Sequence, residues 1–350
     1  MTEKTPLLGL DKAELRSLVA EKGFPAYRGG QLSDWLYRHG IQSFESIHNL
    51  PRPLVVYLTE NHIVGRSRII RVQNASDDTF KLLLEYDDGV RIETVGLPSP
   101  DRFTCCVSTQ AGCVVGCVFC ATGQAGFIRH LSAGEIVDQV LSVQEQYNSN
   151  AVACGPRERR VDHVTFMGMG EPLLNYDATV KAIHLLNSEL GIAMRHITVS
   201  TVGFVPGIRK LAGEKLQITL AISLHAPSDD LRYKLVPGMS AWNVADIVAS
   251  AGEYFEQTGR RVTFEYCLLG GVNDGTVQAQ ALAGLLAGTH SHINLIPYNP
   301  VPGSDFQAPD SNNVLAFRRV LEQKHIQVTQ RVQRGPDINA ACGQLRYRNS

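Results

Sequence analysis

Cys113, Cys117 and Cys120 stand in AGCVVGCVFCATG, a CxxxCxxC run that follows directly on an expected strand. Thiolates are soft ligands, and three of them on one loop can hold three irons of a cubane iron–sulfur cluster while a fourth iron stays open. Five of the eight cysteines fall between Cys105 and Cys120, and that crowding is the sharpest local departure from background in the chain. A structural zinc knuckle is the competing reading. Zinc usually takes four ligands, no histidine stands within roughly three to five residues of the last cysteine, and only the distant Cys154 could complete a set.

The remaining thiols divide by context. Cys267, inside VTFEYCLL, reads as a small buried hydrophobe, whereas Cys342 sits in the polar, glycine-flanked loop DINAACGQL. Cys105 and Cys106 are neighbours on a strand and must point to opposite faces, so only one can face a site. The spacing to the cluster run favours Cys106. Glu93, in VRIETV, reads on its own as a solvated strand glutamate. Gly168 and Gly170 in MGMGEP would let the backbone approach a ligand, with the Glu171 carboxylate beside them.

These residues need a scaffold, and the pattern after Phe103 supplies one. Strands are expected at Thr104 to Ser108, His163 to Met167, His196 to Ser200, Ile218 to Ser223, Val262 to Tyr266 and Ile293 to Ile296. Helices are expected between them at Ala133 to Tyr147, Ala178 to Leu190, Val244 to Thr258 and Val277 to Leu286. Such alternation gives a mostly parallel sheet, open or curled, with its working site at the carboxyl ends of the strands. Ahead of it, Asp11 and Glu14 start a helix with the stripe Leu15, Leu18 and Val19, which Gly23 ends. A second helix is expected over Gln31 to Arg38 and a third after Ser43, then strands from Ile69 to Val95 with a hairpin turn at Asp88-Gly89. The expected organisation is therefore a helical accessory domain at 1–62, a β-hairpin linker region at 63–98, and the main α/β domain at 99–350.

A chain of 350 residues has room for one large core and a small appendage. A net charge of −1 provides no whole-molecule basic field, so a nucleic-acid partner must be met by a local patch. Two stretches qualify: Arg157, Arg159 and Arg160 in an exposed loop, and Arg331, Arg334, Arg346 and Arg348 around Cys342. No apolar run reaches the roughly 18–20 residues of a membrane span, and the first residues lack a signal peptide's apolar stretch, so a cytoplasmic protein with no membrane contact is expected.

CxxxCxxC with Phe119 before its last cysteine, placed after the first strand of a βα series, resembles the radical S-adenosylmethionine (SAM) superfamily. Five further segments resemble the RlmN/Cfr family of radical SAM RNA methyltransferases, and RlmN members most. They are MGMGEPLLN (Met167 to Asn175), STVGFVP (Ser200 to Pro206), AISLHAP (Ala221 to Pro227), NLIPYNP (Asn294 to Pro300) and GPDINAACGQL (Gly335 to Leu345). The resemblance implies a partial (β/α)6 TIM-like barrel with an N-terminal accessory domain that helps bind RNA. It implies a [4Fe–4S] cluster on Cys113, Cys117 and Cys120, SAM on the open iron, and two SAM consumed per turnover. SAM contacts are implied at Gly170, Glu171, Ser200, Ser223, Leu224, His225 and Asn299.

By the same resemblance, Cys342 takes a methyl group from one SAM, and a radical made from a second SAM activates that methyl for addition to carbon 2 of adenine. Cys106 then forms a transient disulfide with Cys342, and Glu93 accepts the carbon-2 proton. The implied substrates are an adenine of 23S rRNA near the peptidyl transferase centre and the tRNA adenosine beside the anticodon. An electron donor such as flavodoxin or ferredoxin and a thiol reductant complete the expected partners, and a monomer is expected. Carbon-8 methylation of the same rRNA adenine, as in Cfr, and a zinc-stabilised RNA-binding scaffold without catalysis are the alternatives.

Overall fold

The computed structural model describes residues 4–151 and 159–346. Ten strands form one sheet: β1 (Arg68–Asn74), β2 (Phe80–Glu85), β3 (Arg91–Pro98), β4 (Phe103–Cys106), β5 (His163–Phe166), β6 (Ile197–Thr201), β7 (Thr219–Ser223), β8 (Val262–Leu268), β9 (Ser291–Pro297) and β10 (Gln327–Gln330). Each lies beside its predecessor in the chain. The pairs from β1 to β4 are antiparallel and those from β4 to β10 are parallel. Helices cross between the parallel strands, as parallel connection demands. They include α4 (Ala121–Gln124) and α5 (Ala133–Ala151), and further on Tyr176–Ser188, Val205–Gly213, Val244–Thr258, Thr276–Leu285 and Ser311–Gln323, while α1–α3, given below, precede the sheet.

Side chains alternate across a strand, so the inward set can be read from one cavity. Thr104, Thr165, Thr198, Ala221, Glu265 and Asn294, from six successive strands, line the same space. A sheet whose six strands share one interior is curled. Its edge strands β1 and β10 do not pair with each other, so the barrel stays open.

All six expected barrel strands are present, with ends shifted by a few residues, and β10 adds a seventh parallel strand that the sequence reading missed. QVTQ is short and polar, and its pattern is that of an exposed edge. The expected hairpin is β2–β3. It does not stand apart as a linker, because β3 pairs with β4 through Val95↔Cys106 and Gly96↔Cys105 and so continues the barrel sheet.

In the N-terminal part, α1 (Lys12–Glu21) carries the expected capping box: Asp11 accepts from the Ala13 and Glu14 amides, and Glu14 accepts from the Asp11 amide at 2.7 Å. The second helix, expected over Gln31 to Arg38, instead runs as α2 (Tyr27–Ser33) into a π-helical turn at Asp34–Arg38. Gly29, on α2, serves the packing of α1 on α2. A Cβ there would lie 2.5 Å from the Arg16 Cα. After Ser43 there is only a short 3-10 turn at Phe44–Ser46. The third helix, α3 (Arg52–Asn61), starts later, with Pro51 at its N-cap and Pro53 in its first turn, where proline costs no hydrogen bond. This part is fixed to the barrel by buried Arg66, which bonds the Gly40 carbonyl, Asp138 and Glu145, and by Ser33 to Glu189.

A candidate cluster and methyl-transfer site

The loop from β4 to α5 carries the three cysteines. Gly116 turns it with φ +65°, a conformation that costs glycine little. Gly123 on α4 lets that helix sit against the loop, since a Cβ there would come within 2.8 Å of the Cys117 nitrogen. Cys113, Cys117 and Cys120 line one cavity of about 150 Å³ together with Phe119, Glu171 and His225.

The thiols are poorly suited to ionising alone. Burial pushes Cys117 well above its ordinary range, with the neighbouring Cys120 and Cys113 adding to the effect, and burial pushes Cys113 up to about 12. Three soft donors around one space, with Cys117 buried and Cys113 and Cys120 half-buried, fit an iron–sulfur cluster. Among the described residues no three His, Cys, Asp or Glu side chains gather tightly enough to hold a single metal ion. Cys154, the candidate fourth zinc ligand, lies outside the described residues.

Behind the cysteines, a polar lattice fixes the strand ends. Gly170, at φ +100°, packs where a Cβ would meet the Gln110 side chain at 2.5 Å. Glu171 is buried; its oxygens accept from the Leu173 amide at 3.0 Å and the Val202 amide at 2.8 Å, and burial raises its pKa to about 7. Ser200 and Ser223 face each other at 3.4 Å on β6 and β7. His225 has its Nδ1 accepting from the Cys267 amide at 3.0 Å, so its ring proton resides on Nε2. Burial, with Arg232 nearby, lowers its pKa to about 3 and keeps it neutral. Gly170, Glu171, Ser200, Ser223 and His225 all line the cysteine cavity.

Two implied contacts sit elsewhere. The Leu224 side chain is in the hydrophobic core, and Asn299 lines the larger neighbouring cavity, where its Nδ2 donates to the Cys342 carbonyl at 3.1 Å.

That larger cavity measures about 1370 Å³ and occupies the barrel interior. Cys342 lies on the wall that both cavities share, with Cys120, Met167, Glu265, Tyr298 and Arg331. Cys106 faces the same interior, and burial and then the nearby Cys342 push its pKa up to about 12. Cys105 points the other way, toward Thr94 and the Gln139 carbonyl of α5. Glu93 lines neither cavity. Its Oε1 pairs with Lys81 at 2.8 Å and its Oε2 accepts from the Arg346 amide at 2.9 Å.

Sequence reasoning passed over three residues here. Arg232 is buried, bonds the Ser223 carbonyl at 3.1 Å and also the Leu224 and Val202 carbonyls, and so clamps the ends of β6 and β7. Glu265 and Cys267 both face the cavity, as their spacing of two on β8 permits; that period was the available signal for Cys267. Of the basic C-terminal stretch, Arg331 is half-buried and lines both cavities, and Arg334 is bound to Asp77, Thr79 and the Pro98 carbonyl, so neither is a free surface cation. Arg157 and Arg348 lie outside the described residues.

Comparison with known proteins decides the family. Residues 107–281 match the family model described as the radical SAM superfamily, and residues 5–64 match the ribosomal RNA large subunit methyltransferase N-terminal domain. A probable dual-specificity RNA methyltransferase RlmN of Gloeobacter violaceus is 49% identical over 348 residues, covering 99% of this chain and 96% of that one. Its counterpart in Rippkaea orientalis is also 49% identical, over 99% of this chain and 98% of that one.

The chain belongs to the RlmN family.

A crystal structure of a radical SAM methyltransferase from Sphaerobacter thermophilus overlays with a TM-score of 0.93 at 42% identity, covering 98% of this chain and 99% of that one. Membership of the radical SAM superfamily implies a [4Fe–4S] cluster and SAM, and the three-cysteine cavity is where an RlmN chain of this fold can hold them. No helix among the described residues is long and apolar enough to cross a membrane.

Proposed function

We propose that the protein methylates carbon 2 of adenine in 23S rRNA and in tRNA, with Cys342 as the carrier of the transferred carbon. The observation that carries this reading is the position of Cys342 on the wall common to the cysteine cavity and the barrel interior, with Cys106 facing the same interior. A carrier must meet the methyl donor on one side and the substrate base on the other. The larger cavity has the volume for a base withdrawn from its stack.

Cys113, Cys117 and Cys120 would hold the cluster, which when bound would supply the electron for cleaving SAM to a radical. Gly170, Glu171, Ser200, Ser223 and His225 form the binding wall for SAM, with the Nε2–H of neutral His225 as a donor toward it. Asn299 acts differently, by holding the Cys342 carbonyl. In the release step Cys106 attacks the Cys342 sulfur. The S–S bond forms as the sulfur–carbon bond breaks, the electron pair leaves with the carbon, and that carbon takes up a proton to become the methyl group. Cellular thiols reduce the disulfide. Glu93 accepts the carbon-2 proton, a role that requires RNA to displace the Arg346 amide from its carboxylate. Residues 1–62 contribute to RNA binding, and an electron donor such as flavodoxin or ferredoxin reduces the cluster.

Nucleoside mass spectrometry of RNA from a strain that depends on this gene tests the reading. 2-Methyladenosine in both RNAs is expected. 8-Methyladenosine as the sole product would transfer the chain to Cfr-like chemistry. A colourless protein with one zinc and no iron or sulfide after anaerobic purification would remove the radical mechanism.

A further inference from the structure

The barrel interior is larger and more polar than one withdrawn base requires. Pockets that enclose a whole drug-sized ligand measure about 300–1,000 Å³, whereas this cavity measures about 1370 Å³. A closed barrel of this kind fills its interior with bulky branched side chains. Here Thr104, Thr165, Thr198, Thr219, Thr263 and Thr329 take inward positions and leave the space open. Thr165 is 8% exposed, and its hydroxyl has no hydrogen-bond partner among the described residues. An unpartnered buried hydroxyl on a cavity wall calls for a polar occupant.

The same cavity runs the length of the strands. Cys342 and Asn299 stand at its carboxyl end, and Arg102, His163, His196, Thr219 and His292 at its amino end. The His163 and His196 rings stack there with centroids 4.2 Å apart. Both histidines are half-buried, as are Thr219 and His292, so solvent reaches this mouth. Arg102 is exposed, and its guanidinium makes no hydrogen bond or ion pair among the described residues. Arg102, Arg331 and Arg334 line the cavity against the carboxylate of Glu265; even with Arg334 paired to Asp77, positive charge prevails.

Cys106 lies on this passage and is only 8% exposed. It stands four residues along β4 from Arg102, a depth of roughly 13 Å in extended chain. The dithiol of a folded protein does not reach so far into a barrel. An extended tripeptide, roughly 10 Å long, does.

We infer that the amino-end mouth of the barrel admits a small anionic thiol of tripeptide size, which reduces the Cys106–Cys342 disulfide from inside the barrel. The inference rests on the reading in which that disulfide forms at release. Arg102 draws the thiol's carboxylates to the mouth, and the Thr165 hydroxyl bonds the chain inside. The first thiolate attacks one sulfur of the disulfide and forms a mixed disulfide on that cysteine, while the other cysteine leaves with the bond's electron pair and takes a proton. A second thiol attacks the mixed disulfide in the same way. Two small thiols thereby become one small disulfide, and both cysteines end as thiols.

The test turns anaerobically purified holoenzyme over once with RNA in the absence of thiol, then adds glutathione and follows the Cys106–Cys342 disulfide by peptide mass spectrometry. Glutathione is expected to reduce it in the parent protein, and thioredoxin to do so far more slowly. Thr219→Trp, which fills the mouth, should lose most of the glutathione rate while the first round of RNA methylation is unchanged. Arg102→Glu should slow glutathione by about tenfold and leave the uncharged thiol mercaptoethanol unaffected. If Thr219→Trp does not fold, Arg102→Glu at its exposed position is read in its place.

A glutathione rate unmoved by these variants overturns the inference, as does a thioredoxin rate that equals that of glutathione. Loss of the first methylation in Thr219→Trp also overturns it, because the mouth would then be the path of the base. Absence of a Cys106–Cys342 disulfide after turnover sinks the release reading by itself. The rate at which an anionic methanethiosulfonate labels Cys106, with and without Thr219→Trp, reads the route in either case.

Discussion

Cys113, Cys117 and Cys120 occupy eight consecutive positions of one loop, while Cys342 reaches the same cavity wall from near the far end of the chain. The loop is shaped by its own turn and by α4 behind it. The segment bearing Cys342 has a tight turn of its own, with the Gln344 amide donating to the Ala341 carbonyl at 3.1 Å, and is otherwise held by partners scattered through the fold. The Ala121 amide donates to the Gly343 carbonyl at 2.7 Å and the Thr122 hydroxyl to the Leu345 carbonyl at 2.6 Å. Lys81 reaches the Asn339 carbonyl, and Gln344 the Pro300 carbonyl at 2.8 Å. Each such bond contributes only about 1 kcal/mol, so the segment's position is a sum of small terms.

The largest effects should separate the two regions outright. Replacing any of Cys113, Cys117 or Cys120 by alanine is expected to lower bound iron together with all SAM cleavage. Cys342→Ala should keep the iron and lower RNA methylation by roughly a thousandfold or more, as loss of a covalent nucleophile does. Iron analysis beside an RNA methylation assay checks both. If Cys342→Ala also lost its iron, the two regions would not be independent.

Next in size is the contrast within one dipeptide. Cys106→Ala should trap protein–RNA adduct, visible on denaturing gels, because the release step lacks its attacking sulfur. Cys105→Ala, whose sulfur faces α5, should leave turnover within about twofold. Adduct from Cys105→Ala and none from Cys106→Ala would reverse the assignment.

Two further variants probe the supports. Arg232→Met strands the Val202, Ser223 and Leu224 carbonyls and should lower stability by about 2–4 kcal/mol in anaerobic denaturant titrations. Lys81→Met, at the foot of the C-terminal segment, should cost about 1–2 kcal/mol locally. It should speed hydrogen exchange across 339–346 with little change at 113–120. Equal acceleration in both stretches would mean that the segment and the loop open as one unit.

The same contrast explains what could be read in the sequence. The barrel was legible because strand and helix periods are local, and so was the cluster run, whose ligands share one loop. Cys106 against Cys105 followed from strand alternation and cluster spacing. The meeting of Cys342 with Cys106 came only from family resemblance, since no local pattern links residues so far apart. Arg232 was not legible, because a buried arginine on a short helix looks like any surface cation until three carbonyls converge on it. The packing role of Gly29 and the cavity-lining position of Arg331 were hidden for the same reason: both depend on which element lies opposite.

The central claim, that Cys342 carries the transferred carbon, is tested most directly by a single-turnover label transfer. Holoenzyme whose Cys342 bears an isotopically labelled methyl is mixed with RNA, reductant and unlabelled SAM, and the first methyladenosine formed is analysed by mass spectrometry. The account predicts that its methyl carbon carries the label. An unlabelled methyl group in that first product, with the label still on Cys342, would contradict it.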